Sequence, residues 1–449
     1  MRNRVLTKRK ILVGTGLITL SLVLFFVSGI PQDWILNRAR NQIQQQNWKS
    51  SWSSLKWAEL FQSPEAEINF LNLRIARKLG RQEEFSAGIR KLQNQKYDIQ
   101  RLERELWMFE AQTGNLTRLE LQIGELFTEG EDLQEICEAL VLGYLQTYRK
   151  DKANQILDLW QADFPNDAQP HFLRGRLLEH ETSLEPAEEE YRAALKLNPR
   201  HDAAAYGLAR VMISTQRHQQ AIPFYELCAN HGLSPQPGFV GVARCYRELD
   251  ELDRAELYLK RAETVDDQEL AIEAWKLVGE TESNSRAKLW SEWGQLELAR
   301  SNNQGAIQYL KKALDQNPYD WRLRYHLGQA LIDEGESEEG TQQLELFNET
   351  RIALESCDPM MDRIGSNPED VEARYQVGSV MLNYISPNQG LVWLNSALKY
   401  DPDHLPTHRL LADYFSTHID DHPKYAELSQ KHQTAVERLT PKAVEPAVP

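Results

Sequence analysis

Three successive segments of 34 residues, 168–201, 202–235 and 236–269, carry one pattern of small and large side chains. A small residue sits in a first helix (Gly175, Ala209, Ala243) and another opens a second (Ala187, Ala221, Ala255). A large residue follows four positions later (Tyr191, Tyr225, Leu259), and a third small one completes the set (Ala194, Cys228, Ala262). A period of this length specifies a helical hairpin that lacks a core of its own and buries its apolar stripe by stacking on its neighbours. Sheets and single-core domains are excluded, and such a chain acts by presenting a surface.

The pattern extends in both directions. Residues 32–65 place Ala39, Ser51, Leu55 and Ala58 on the columns, and residues 134–167 place Val141, Ala153, Leu157 and Trp160 there. Between them, Ile68, Leu71, Ile75 and Leu79 share a helical face before Gly80, but the columns are weak. We therefore expect divergent hairpins over 32–133 and a regular block over 134–269. Then the phase slips: Gly175 to Gly294 is 119 residues, three periods plus 17, so a half-repeat linker is placed at 270–286. Hairpins resume over 287–354 through Gly294, Ala306, Leu310 and Ala313. A second linker falls at 355–370. The block 371–438 follows through Gly378, Leu394 and Ala397, and the proline-punctuated residues 439–449 read as a disordered tail. The two slips are the expected hinges, because stacked hairpins are coupled only through neighbours. Pro223 is expected to delay or kink the second helix of its copy.

Residues 11–30 contain no charge and follow a basic stub, residues 1–10, with Arg2, Arg4, Lys8, Arg9 and Lys10. A helix of that length spans about 30 Å of hydrocarbon. One N-terminal transmembrane helix is expected, retained as a signal anchor, with the amino terminus cytoplasmic and the repeats on the far side by the positive-inside tendency. The rival is a signal peptide cleaved near Val27-Ser28-Gly29, against which the length of the apolar run argues. Trp48, Trp52 and Trp57, beside Lys49 and Lys56, suit either an interfacial belt or repeat core.

The formal charge is −15, from 51 Lys and Arg against 66 Asp and Glu. Five of those bases lie in the stub, so the rest of the chain carries 46 bases against 66 acids, near −20. Such a body repels nucleic acid, which is bound mainly through its phosphates, so no nucleic-acid partner is expected. The four cysteines are scattered and read as small buried hydrophobes. Cys228 and Cys245 lie on adjacent helices, so a bridge between them is admissible in an oxidising compartment. His404 and His408, and His418 and His422, are spaced as helical metal pairs, but Pro406 and Pro423 favour turn or solvated histidines. No phosphate-binding loop, nucleophile elbow, zinc-protease helix or dinucleotide fingerprint occurs in the sequence. The expectation is a non-enzyme without cofactor or metal.

The residues Gly175, Ala187, Tyr191 and Pro199, and Trp290, Trp293-Gly294, Ala306 and Pro318, resemble the tetratricopeptide repeat over about three quarters of the chain. The resemblance implies an all-α, right-handed α-solenoid of helical hairpins that binds a peptide or partner domain on a concave wall lined by the first helices. By that geometry Arg176, Arg210 and Arg244, again 34 apart, would project into the groove as a basic ladder, with Phe172, Tyr206 and Val240 one turn earlier. Arginine holds carboxylates bidentately, so an acidic peptide would fit. The plain alternative is pairing within each helix, Arg176 with Glu179 and Arg244 with Glu248, which leaves Arg210 without a partner. Two functions follow as expectations: a membrane-tethered scaffold for a partner protein at the cell envelope, or a regulatory or assembly factor for envelope polymers. Lipopolysaccharide-assembly proteins share the anchor-plus-repeat layout, but their metal-binding cysteine tail is missing here.

Overall fold

The computed structural model describes residues 30–61, 63–129, 132–231, 235–265, 285–420 and 423–440. Every element among them is helical, and the helices follow in pairs. The first seven pairs are α1 (Ile30–Gln44) with α2 (Trp48–Leu60), α3 (Glu65–Lys78) with α4 (Gln82–Asn94), α5 (Ile99–Gln112) with α6 (Thr117–Glu129), α7 (Leu133–Gln146) with α8 (Lys150–Asp163), α9 (Gln169–His180) with α10 (Leu184–Leu197), α11 (Asp202–Ser214) with α12 (His218–His231), and α13 (Gln236–Glu248) with α14 (Leu252–Glu263). Then come α15 (Ser285–Ala299) with α16 (Asn303–Gln316) and α17 (Trp321–Asp333) with α18 (Ser337–Glu355). A single helix α19 (Asp358–Ser366) precedes α20 (Val371–Val380) with α21 (Pro387–Tyr400) and α22 (Leu405–Thr417) with α23 (Tyr425–Leu439).

The turn inside each hairpin sets the period. Its left-handed residue is Gln46, Gly80, Gly114, Tyr148, Thr182, Gln216 and Asp250 in the first seven pairs, at unbroken intervals of 34. This conformation ends a helix by letting the next N–H turn back onto its last carbonyls, as Ser183 N–H does to Leu178 O at 2.9 Å. The stretch 66–133, expected to be divergent, keeps strict register through Gly80 and Gly114, whose φ angles of 71° and 96° suit residues without a Cβ. From Asp250 to Ser301 the interval is 51, one period plus 17, and from Ser301 to Gly335 it is 34 again. After α20 a π-helical turn, Met381–Ile385, takes the place of the left-handed residue.

The small and large columns meet in space. The ring of Tyr191, fully buried, lies between Gly175 and Gly207, where a Cβ would come within 2.7 and 2.6 Å of it. Tyr225 stands in the same way against Gly241, Leu310 against Gly294, and Leu394 against Gly378. Ala187, Ala194, Ala209, Ala221, Ala243 and Ala262 are fully buried, as close helix approach requires.

Contacts divide the chain into a unit through Leu106 and another from Trp107, a boundary that falls inside α5. In the second unit one core runs from Met108 and Leu119 through Leu140, Trp160, Tyr191 and Leu208 to Tyr225 and Cys245. The first unit holds an ion triad, with Arg74 and Arg77 each donating from Nε at 2.6 Å to the buried carboxylate of Glu105.

Several expectations change. Helix α12 runs through Pro223 from His218, held by the buried Ala221, Ile222 and Tyr225, so it starts on time. All four cysteines are free and buried. Cys228 Sγ donates instead to the carbonyls of Asp202 and Phe224, and burial pushes the Cys245 thiol up to about 12. The linker 355–370 contains α19, whose Ile364 joins a buried cluster with Cys357, Ala373, Val377 and Trp393. Residues 1–29 lie outside the described residues, and with them nearly all of the expected transmembrane segment. Among the described residues no helix is long and apolar enough to cross a membrane. The linker 270–286, apart from its last two residues, and the tail beyond 440 also lie outside them.

Candidate functional site

The expected groove residues fall on the first helices α9, α11 and α13, but they separate into two kinds. Phe172, Tyr206 and Val240 are core, at 2%, 6% and 6% exposure. Phe172 packs on the rings of Tyr191 and His201, and Tyr206 meets Tyr225 edge-on. Only the arginines reach the surface.

The arginines do not form a uniform ladder. Glu179, expected as a partner of Arg176 within its own helix, accepts from both Nε and Nη2 of Arg210 at 2.5 and 2.7 Å. It also accepts the Tyr191 hydroxyl at 2.8 Å. Burial and the Glu179 charge beside it push the Tyr191 pKa upward, so the hydroxyl stays a donor. Arg210, which sequence pairing left over, is thus bound bidentately by the preceding repeat. Arg176 lies over the Phe172 ring, 5.9 Å from its centroid. Glu248, expected to hold Arg244, pairs with Arg247 at 2.9 Å, and Arg247 also donates to Glu292 at 2.6 Å. Arg244 is exposed, with no hydrogen bond or ion pair among the described residues.

A second constellation was not anticipated. Arg374, fully buried on α20, donates from Nε to Pro368 O at 2.7 Å, and from Nη1 to Ser396 Oγ at 3.1 Å and Thr147 O at 3.2 Å. Its guanidinium lies over the rings of Trp393 and Tyr400. Tyr148 packs on Trp393 with ring centroids 6.0 Å apart. Beside them Glu120 accepts from Arg149 at 2.8 Å, Lys152 at 3.2 Å and Lys399 at 3.3 Å. Partial burial raises the Glu120 pKa, but Arg149, Lys399 and Lys152 outweigh it and hold the carboxyl below its usual range. Burial, reinforced by Arg149, lowers the pKa of Lys399. These contacts join α6, α7 and α8 to α20 and α21 within the second unit.

The described histidines of the two spaced pairs bond to groups outside their pairs. His404 Nδ1 meets Thr407 Oγ1, His408 Nδ1 meets His432 Nδ1 at 2.8 Å, and His418 Nδ1 meets Tyr414 O. His422 lies outside the described residues. No group of three metal-ligating side chains occurs among the described residues.

Two stretches match family profiles described as tetratricopeptide repeat, residues 182–235 and 297–348. No curated protein matches the chain. Among solved structures, the chain is similar to the APC/C hetero-tetramer Cut9–Hcn1, with 13% identity, coverage of 82% of this chain and 62% of that one, and a TM-score of 0.43. It therefore spans less than two thirds of that relative. It is also similar to PilW, a widely conserved type IV pilus biogenesis factor (15% identity, 48% and 93% coverage, TM-score 0.39). A third likeness is to YrrB, a protein with an unusual peptide-binding site (17% identity, 49% and 96% coverage, TM-score 0.25).

Proposed function

We propose that this chain, two stretches of which match tetratricopeptide-repeat profiles, is a non-catalytic scaffold of such repeats holding a protein or peptide partner near a membrane of the cell envelope. The observation that carries the reading is the 34-residue succession of hairpin turns from Gly114 to Asp250, which sets consecutive first helices of the second unit side by side. A wall of that kind offers binding area without a reacting centre. The tether rests on sequence: residues 11–30 are uncharged and long enough to span, and the five bases before them favour a cytoplasmic amino terminus with the repeats extracytoplasmic.

The ligand chemistry follows from the arginines. Arg210 is neutralised by Glu179, so an acidic peptide is held chiefly by the exposed Arg244 of α13, with Arg176 two repeats away on α9. A photo-cross-linker placed at the exposed Glu248, one turn beyond Arg244 on α13, and, separately, at the exposed Glu189 of α10 tests this in cells producing the full chain. Labelling of one polypeptide from position 248 and not from 189, lost when Arg244→Glu is added to the chain labelled at 248, is the expected result. Equal labelling from both positions would refute the groove.

A further inference from the structure

At one end of the first hairpin, large apolar side chains stand in solvent. Trp34, just past the first turn of α1, is 58% exposed, and Trp57 and Leu60, in the last turn of α2, are 55% and 73% exposed. The two ends are tied together by Gln32 Nε2, which donates to Phe61 O at 3.0 Å. Trp57 stacks on Phe61 with ring centroids 5.8 Å apart, and the Arg38 guanidinium lies over the Trp34 ring. By contrast Ile35, Leu36, Ala39, Leu55 and Ala58 on the inner faces of the same helices are buried. The hairpin has its own core, and the two tryptophans and Leu60 are surplus to it.

The position of this end gives the surplus a use. Helix α1 begins at Ile30, the last residue of the uncharged stretch 11–30. The chain therefore leaves the proposed membrane span directly into the helix that carries Trp34. We infer that Trp34, Trp57 and Leu60 form a collar seated in the lipid interface, so that the first hairpin lies against the bilayer and is not merely strung from it. This rests on the tether proposed above. Indole rings favour the headgroup region because the ring is apolar and its N–H needs a polar partner. Arg38 and Lys56 are offset by Asp33 and Glu59 around the collar, all four exposed, so apolar contact and not headgroup charge is the driving force. Trp52, half-buried with the Arg81 guanidinium over its ring, takes no part.

The test uses the full chain reconstituted in zwitterionic vesicles containing brominated lipid, comparing wild type with a Trp34→Phe, Trp57→Phe double variant. The difference in their fluorescence reports the two indoles alone. It is expected to be quenched about twofold more strongly by bromine near the lipid carbonyls than by bromine near the chain ends. Carbonate extraction reads the tether separately. Quenching of the difference signal with extraction-resistant protein supports both readings. An unquenched difference signal in extraction-resistant protein overturns the collar and leaves the tether. If that unquenched protein also forms concentration-dependent dimers, the apolar end belongs to a second copy instead. Quenching in protein that carbonate removes keeps the collar and overturns the tether. Protein that fails to sediment with vesicles overturns both.

Discussion

Arg374 donates from Nη1 to the backbone carbonyl of Thr147 at 3.2 Å, although 227 positions separate them. Few contacts in a stacked array reach so far along the chain, and this one is made by a fully buried guanidinium.

Replacing that side chain therefore costs more than a surface arginine would. Arg374→Ala leaves Pro368 O, Thr147 O and Ser396 Oγ without their donor and removes the cation over Trp393 and Tyr400. The expected destabilisation is about 3 kcal/mol in urea unfolding. Arg374→Lys recovers little of it, since an ammonium on a flexible stem does not span three acceptors as the planar fork does. A loss under about 1 kcal/mol would mean that the contact is not held in solution.

The pair of Arg210 with Glu179 links α11 to α9 and is largely screened from water. A double-mutant cycle with Arg210→Ala and Glu179→Ala is expected to show a coupling of about 1–2 kcal/mol. Tyr191→Phe removes only the third bond to the same carboxylate, so its cost is expected to be smaller. Additive losses for Arg210 and Glu179 would show that each acts alone.

Thr182 is a β-branched residue at φ 58°, where its Cβ is crowded by the backbone. Its side chain is exposed, so Thr182→Gly relieves strain without opening a cavity. A gain of about 0.5–1 kcal/mol is expected, the relief exceeding the extra freedom of the unfolded chain. A lower melting temperature for this variant would contradict the assignment of the turn.

Two buried histidines make stability depend on pH. His201 Nδ1 accepts the Ala204 N–H at 3.1 Å while its Nε2 faces Gln169 Oε1 at 2.9 Å, an arrangement that needs the neutral ring. Burial pushes its pKa down to about 4. Burial, then the charge of His408, does the same for His432, also to about 4. Unfolded histidine titrates near 6.5, so between these values the unfolded chain binds more protons and the native state is penalised. Stability is expected to be full above about pH 6.5 and to fall as the pH drops toward about 4, by up to about 3 kcal/mol per histidine. His201→Asn, which keeps an acceptor for the helix cap, should flatten part of that fall in a series of melting curves.

The hairpins were legible because their rule is local. Tyr191 between Gly175 and Gly207 is the same contact as Tyr225 against Gly241, and a period written into the sequence announces it. Register in residues 66–133 is also written there, in Gly80 and Gly114 at 34, but it is carried by the turns and not by the packing columns. The polar pairs between repeats had a findable signal too. Glu179 and Arg210 are 31 apart, as are Arg74 and Glu105, and Glu138 and Gln169, the offset that faces one first helix to the next. These side chains pair between helices and not within one. The burial of Phe172, Tyr206 and Val240 was not legible, because their own helices do not say which of their neighbours' side chains cover them. Nor was Arg374 with Thr147, since no recurrence in sequence reports where a long array meets itself.

A run of hairpins coupled only to neighbours frays from its ends, each loosened unit exposing the next. The bond from Arg374 to Thr147 gives residues 147–374 no free end of that kind. The described amides among them should therefore exchange with solvent in one concerted opening, while α22 and α23, beyond the clasp, peel away earlier.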